Sequence, residues 1–384
     1  MAPCGFCKAE FGNLKCTSCR KVSYCSKDCQ TKDWKSHKPV CPPYRVGEVA
    51  GMRMGRGVFA TRKIKPGMVI MEEMPLIILD LDDGKDLGSV DGLPEGAIIS
   101  KLKSQIQIMD KSTKAAVLSL HDPVVNIRTL KYQSIDVDWA VEVSPNLRVW
   151  TGFDGNDDVS KMLRIFTCNS IIICPHREIT SKTSEAGLYY VISLINHSCR
   201  PNAQFSWVKG DIKRKQVIAM RTIEKGQEIS AYYIGNNFGS RDDRRDSLLE
   251  DFGMLCWCPE CSLEGNALRE NEKLRADIRK GQEKVKEMIR NLERNVSTQL
   301  AKKKVKSLLS LSQKVTVLVR KLDIPHELIT HLLYTSLPVA RQAAKWSVGG
   351  TQSPDEVKRE ARDLCQNAGD DSMFIFNNLA TQQL

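Results

Sequence analysis

Apolar residues change their rhythm three times along this 384-residue chain. Residues 1–41 hold few of them. Over 46–81 they fall into short runs, Val69-Ile70 and Leu76-Ile77-Ile78-Leu79, split by glycine and proline. Such runs predict strands and turns. Residues 82–95 are acidic and glycine-rich, a loop, and 97–165 read as mostly helical. Strand signals return at Ile171-Ile172-Ile173, 204–208, 216–220 and 228–234. After Gly265 the spacing turns helical, with Leu274, Ile278, Val285, Ile289 and Leu292 on one face. Further helices fit 299–322, 326–346 and 354–367, and no 34-residue repeat emerges.

These rhythms predict an α+β protein in three parts. Pro42-Pro43 stops any preceding helix and closes a first module at 1–45. A β-rich domain follows over 46–265, with a helical insert at about 85–165 and a cysteine-bearing end at 252–265. Residues 266–384 form an all-α tail. A hydrophobic content of 41% can bury a sizeable core. No apolar run reaches the length of about 18 residues that a membrane helix needs, so no membrane partner is expected. The N-terminus lacks a secretory pattern. An intracellular setting, nucleus or cytoplasm, is the expectation, and there the 14 cysteines suit metal better than disulfides. The net charge of +11 suits a solvated basic surface or acidic partners. For nucleic acid, charge and zinc are the only support, because no basic recognition helix is evident.

The first module has the spacing Cys4-x2-Cys7, Cys16-x2-Cys19, Cys25-x3-Cys29, His37-x3-Cys41. A Cys-x2-Cys knuckle brings two thiolates to one tetrahedral zinc, and an i,i+4 pair falls on one face of a helical turn. Eight ligands fill two closed sites, which are structural because no position is left for water or substrate. So short a segment needs the metal to fold. Spacing alone allows sequential or interleaved pairing.

The β-rich domain holds four further motifs. Gly55-Arg56-Gly57 on its own reads as a turn. The run Asn196-His197-Ser198-Cys199-Arg200-Pro201-Asn202 sets amide, imidazole and thiol groups directly after apolar residues. Gly226-Gln227-Glu228-Ile229 leads to Tyr232-Tyr233, which would ordinarily be packing residues. Cys256-x-Cys258-x2-Cys261 offers three ligands where zinc needs four, and Cys199 is the best free candidate for the fourth. Cys168, Cys174 and Cys365 have no partner at ligand spacing and read as buried small residues.

The run Tyr24-Cys25-Ser26-Lys27-Asp28-Cys29-Gln30, with Asp33-Trp34, His37-Lys38 and Cys41, resembles a MYND zinc finger. The later motifs, in this order, resemble a SET domain with its post-SET zinc segment. Together they look like the SET-and-MYND protein-lysine methyltransferases. The finger precedes Gly55-Arg56-Gly57, an order similar to the arthropod branch. The resemblance implies interleaved zinc pairing: Cys4, Cys7, Cys25 and Cys29 on one ion, Cys16, Cys19, His37 and Cys41 on another. It implies a third zinc on Cys199, Cys256, Cys258 and Cys261.

It further implies S-adenosylmethionine as cofactor, held by Met54, Gly55, Arg56, Asn196, His197 and Phe252. Asn169 and Ser170 would line the lysine channel, and Tyr233 would be catalytic, its hydroxyl near the transferring methyl. The segments around Asn196 and Tyr233 would thread together, against the general rarity of threaded chains. The partners implied are a protein with a target lysine and, at the finger, a proline-containing peptide; a monomer is expected. Two positions depart from the family pattern. Met54 stands where a lysine is frequent, and Phe252 where a tyrosine is frequent. They favour the competing expectation, a zinc-dependent interaction scaffold or transcriptional regulator with a weak or inactive SET domain.

Overall fold

The computed structural model describes residues 2–9, 12–16, 22–38, 40–49, 55–80, 95–123, 157–173, 185–208, 210–234, 238–293 and 298–323. Met54, Cys19, Cys174, Cys365 and the helices expected at 326–346 and 354–367 lie outside them. Two compact units emerge. The first comprises Met1–His197, Asn202–Ala231 and Leu248–Leu255; the second comprises Ser198–Pro201, Tyr232–Ser247 and the chain from Cys256 onward. Compactness thus divides the 196–202 run, with Ser198 to Pro201 assigned to the second unit.

In the first unit, β1 (Leu14–Lys15), β2 (Ser23–Tyr24) and α1 (Lys27–His37) build the N-terminal module. There follow β3 (Tyr44–Glu48), β4 (Arg56–Ala60), β5 (Val69–Glu73) and β6 (Ile77–Asp80). The insert contributes α2 (Glu95–Ile108), α3 (Lys111–Leu118) and α4 (Asp158–Asn169). Then come β7 (Ser170–Ile173), β8 (Glu185–Leu188), β9 (Asn196–His197), β10 (Ala203–Val208), β11 (Asp211–Ala219) and β12 (Glu228–Ala231). Among the described residues the strands form the orders β3-β4-β12-β9, β10-β11-β5, β6-β8-β7 and β1-β2. Val58, Ala60, Ile64, Ile70, Leu79, Ile165, Leu188, Ile195, Val217 and Ile229 share one core.

Local chemistry explains the boundaries. The carboxylate of Asp157 accepts from the N–H groups of Val159 and Ser160, both at 3.0 Å, and so starts α4. One face of that helix buries Met162, Ile165 and Phe166. Gly226 turns the chain into β12 at φ +87°, in the left-handed region that glycine adopts without strain. Ile229 and Ala231 then point inward on alternate positions of β12.

The helix α5 (Arg241–Phe252) divides between the units. Gly253, at φ +60°, ends it, with its N–H on the Leu249 carbonyl at 2.9 Å and that of Met254 on Leu248 at 3.2 Å. In the second unit α6 (Gly265–Glu293) packs on α7 (Thr298–Leu322). Phe238, Ile278, Val315, Val319 and Leu322 form their core. Val285 and Ile289, expected on the inner face, are buried as well. Gly281 lies against Val315, where a β-carbon would collide. No described helix is long and apolar enough to cross a membrane.

Candidate functional site

In the N-terminal module the sulfurs of Cys4, Cys7, Cys25 and Cys29 all lie within 4.8 Å of one another. Two of the separations are 3.5 Å (Cys7 to Cys25) and 3.4 Å (Cys25 to Cys29). A tetrahedron with Zn–S bonds of about 2.3 Å has edges of about 3.8 Å, so the group fits zinc. Cys16, His37 and Cys41 form a second group, all buried. Both sets follow the interleaved order. The i,i+4 expectation needs one correction. Ser26 caps α1 by accepting from the Cys29 N–H at 3.1 Å, so Cys25 stands before the helix. At the other end α1 stops at His37, and Cys41 stands beyond it. Each pair therefore straddles a helix end. Tyr24 braces the helix from beneath, its hydroxyl donating to Asp33 at 2.7 Å.

Three of the four motifs of the β-rich domain meet at β12 in the first unit. Asn196 and His197 pair with Ser230 and Ala231 in parallel register, on the strand whose other edge holds β4. The Asn196 amide donates to the Arg56 carbonyl at 3.1 Å and to Glu228 Oε1 at 2.7 Å. One side chain thus joins all three sequence motifs. Gly57 makes this approach feasible: a β-carbon there would stand 2.6 Å from Glu228 Oε1 and 3.1 Å from Asn196 Nδ2. Asn202 bonds the same strand, its amide donating to the Glu228 carbonyl at 2.7 Å and its Oδ1 accepting from the Ser230 N–H at 2.9 Å.

Gly55 has φ +59°, in the left-handed region, and among the described residues no atom lies within 4 Å of where a β-carbon would sit. The Arg56 guanidinium reaches Tyr190 Oη at 3.4 Å and both oxygens of Ser119. His197 is buried.

A second network lies beside it. The Asn169 amide donates to the carbonyls of His121 (2.9 Å) and Ile165 (2.8 Å). Arg164, which is buried, grips the partly buried Asp122 with two bonds of 3.0 and 2.8 Å. His121 Nε2 stands 3.2 Å from the Phe252 carbonyl, so that nitrogen is the donor. Burial holds the His121 imidazole below its usual pKa. Cys168 is buried as expected, its thiol toward the His121 and Ile165 carbonyls. Ser170 opens β7, opposite Leu188.

In the second unit Cys199, Cys256, Cys258 and Cys261 form a third group within 4.8 Å, every member buried. Cys199 and Cys261 sulfurs are 3.5 Å apart, and the Cys199 N–H points at Cys258 Sγ at 3.4 Å. The set again fits zinc by its edge lengths and soft donors. Tyr233, half-buried, belongs to this unit. Sequence reasoning missed His121, Glu228 and Arg244. Glu228 lay within a quoted motif. His121 and Arg244 sit among ordinary polar residues, and nothing in the run Arg241-Asp242-Asp243-Arg244-Arg245 marks the fourth as buried.

The SET domain family matches residues 55–234 and the MYND finger family residues 4–41. The chain is similar to N-lysine methyltransferase SMYD2 of Homo sapiens, 25% identical over 283 residues, 72% of this chain and 53% of that protein. It is similar to Histone-lysine N-methyltransferase ASHR1 of Arabidopsis thaliana, 27% identical over 248 residues, 65% of this chain and 44% of that one. It spans about half the length of these relatives. The solved SET domain of LSMT, bound to lysine and AdoHcy, overlays 92% of each chain at 12% identity with a TM-score of 0.31, too loosely to bear on the argument. A match to the MYND finger family at 4–41 followed by one to the SET domain family at 55–234 gives the chain the two domains, in the order, that its motifs resemble.

Proposed function

We propose that the chain is an S-adenosylmethionine-dependent protein-lysine N-methyltransferase. The observation that carries this is the Asn196 amide, which joins Arg56, Glu228 and its own strand next to Gly55. Similarity to two proteins named as lysine methyltransferases supports the reading. The cofactor, when bound, supplies a methyl group on a sulfonium. Methyl transfer to an amine is an in-line displacement, so the chain's task is alignment and a neutral amine. A free lysine titrates at about 10.4, and desolvation beside a positive charge lowers that.

The backbone at Met54, Gly55 and Arg56, with Asn196 and His197, is our binding site for the cofactor. Because Asn196 Nδ2 already serves Arg56 and Glu228, its Oδ1 is the side-chain group available. Phe252 supplies an aromatic wall, and His121 fixes it through the carbonyl. Asn169 and Ser170 form the channel; Asn169 does so by bracing backbone, since its amide hydrogens are engaged. Tyr233 is assigned the catalytic hydroxyl. Three zinc ions, two in the finger and one on Cys199, Cys256, Cys258 and Cys261, hold these parts. Cys19 completes the second. Domain limits of 1–45, 46–265 and 266–384, a proline-containing peptide at the finger, a monomeric state and a nuclear or cytoplasmic location complete the proposal.

One observation favours a scaffold with a silent SET domain: Phe252 removes a hydroxyl from the pocket's wall. The test is radiolabelled methyl transfer to histones and whole-cell lysate, with Tyr233→Phe as control and calorimetric cofactor binding alongside. Label incorporation lost in Tyr233→Phe supports the enzyme. Absence of cofactor binding would sink it.

A further inference from the structure

The three cysteine groups face different electrostatic problems. Zinc with four thiolates carries a net charge of −2. In the first finger group Cys7 and Cys25 are exposed, so water answers that charge. The second includes His37, a neutral ligand, which lowers it. The third has four thiolates, all buried. A buried charge is costly unless it is paired and hydrogen-bonded.

Arg244 is fully buried against this third group. Its Nε donates to Cys199 Sγ at 3.2 Å, and its Nη2 reaches Cys261 Sγ at 3.7 Å. Its Nη1 donates to the Gly239 carbonyl at 2.6 Å. The neighbouring Arg245 binds backbone, not sulfur: Nε to the Cys256 carbonyl at 3.3 Å and Nη2 to that of Cys261 at 3.1 Å, with its guanidinium 5.0 Å from the Trp257 ring centre. Of the two arginines, Arg244 alone addresses the thiolates.

We propose that Arg244 is the internal counter-ion of the third zinc centre, and the positioning residue that ties it to the segment following Tyr233. Its fork joins three stretches of the second unit: Cys199, Gly239 and Cys261. The planar, permanently charged guanidinium suits this place, because it offers a charge and directed donors together. Outer-shell partners of metal ligands hold ligand orientation and tune affinity. The inference rests on the reading that the third group holds zinc.

The test is zinc release from the 384-residue protein to a chromogenic chelator, with total zinc by elemental analysis. The parent should hold three zinc ions per chain, from four ligands at each structural site. Arg244→Gln keeps an N–H donor and removes the charge; Arg244→Lys keeps the charge. In Arg244→Gln the third ion should bind about 10–100-fold more weakly, the usual cost of losing an outer-shell partner. Arg244→Lys should recover most of that, and the two finger ions should leave at the parent's rate in both. A parent holding only the finger's ions would sink the zinc reading itself. A parent with all three, and a Gln variant that holds the third as tightly, would overturn the counter-ion and leave the zinc reading intact. If Arg244→Gln does not fold, Arg244→Lys decides. Selective loss of its third ion, with the charge still present, overturns the proposal, and retention supports it.

Discussion

Lys215 lies in the middle of β11 and is 6% exposed. Its cross-strand partners are Trp207 and Glu73. The Glu73 carboxylate is occupied elsewhere, accepting from the Val191 and Ile192 N–H groups at 2.9 to 3.0 Å. The Lys215 ammonium instead stands 4.0 Å from the Trp207 ring centre and 5.6 Å from that of Phe205. Burial pushes its pKa from 10.5 down to about 7. Between these values the folded chain holds a neutral amine and the unfolded chain a charged one. The unfolded state then binds more protons, so stability rises with pH across that window. Below about pH 7 the penalty is at its full size. The gap from 10.5 to about 7 corresponds to about 5 kcal/mol. Two aromatic faces return about 0.5–2 kcal/mol to the charged form. We therefore expect Lys215→Met to stabilise the fold by about 3 kcal/mol near neutral pH, with the gain shrinking toward about pH 10. Urea unfolding of both forms at about pH 6, 8 and 10 measures it. A Lys215→Met protein less stable than the parent at neutral pH, or a difference that does not change with pH, would refute the reasoning.

Arg275 is buried on α6, bonding Asn271 at 2.8 Å and Glu260 at 3.1 Å within the Cys258-Pro259-Glu260-Cys261 turn. Arg275→Met should destabilise by about 3–5 kcal/mol, the cost of leaving a buried charge without its partner, and the added change Glu260→Gln should restore part; denaturant unfolding of single and double variants measures both. Gly57→Ala should cost about 1–3 kcal/mol by overpacking against Glu228 and Asn196. The same variant should weaken cofactor binding in calorimetry, and an unchanged affinity would detach the Asn196 bridge from the pocket. Phe252→Tyr should speed methyl transfer at saturating cofactor, by up to about 10²–10³ if the hydroxyl is central. Equal initial rates on one protein substrate would show that the hydroxyl has no part.

Much of the site was legible because metal ligation leaves a spacing code. Three of the four finger pairs that spacing marked come together in the structure, grouped in the interleaved order that only the resemblance implied, and the third group assembles with Cys199 included; the fourth pair ends at Cys19, outside the described residues. The code is silent on whether a helix contains a pair, and Ser26 decided that by capping between Cys25 and Cys29. A strand was legible at 228–234, and the structure forms it over Glu228–Ala231 only, so Tyr232 and Tyr233 lie beyond its end. Its parallel pairing with 196–197 was not, because that contact joins residues more than 30 positions apart and uses two residues only. Burial of individual charges was the least legible feature. Arg244, Arg275 and Lys215 are buried, while Arg241 is only half-buried in the same kind of charged run. Which of them turns inward depends on the far partner, a thiolate, Glu260 or two rings, and no local period records that.

The enzyme and scaffold readings make the same demands on most of the molecule. Both need the zinc groups to fold, the Asn196 bridge to join its strands and the Arg164–Asp122 pair to hold the insert. The readings part at groups whose value lies in the transition state alone. A hydroxyl aimed at a moving methyl or at the incoming amine adds little to ground-state binding and much to rate. Tyr233 is such a group in our assignment, and a tyrosine at Phe252 would be another. In the proposed pocket the phenyl ring of Phe252 would keep the apolar area against a flat ligand, and His121 Nε2 stands 3.2 Å from its carbonyl. Affinity for the cofactor should therefore follow the bridge and the ring, and turnover should follow the two hydroxyl positions. Measured separately in Gly57→Ala, Phe252→Tyr and Tyr233→Phe, the two quantities should move independently: binding in the first, rate in the other two.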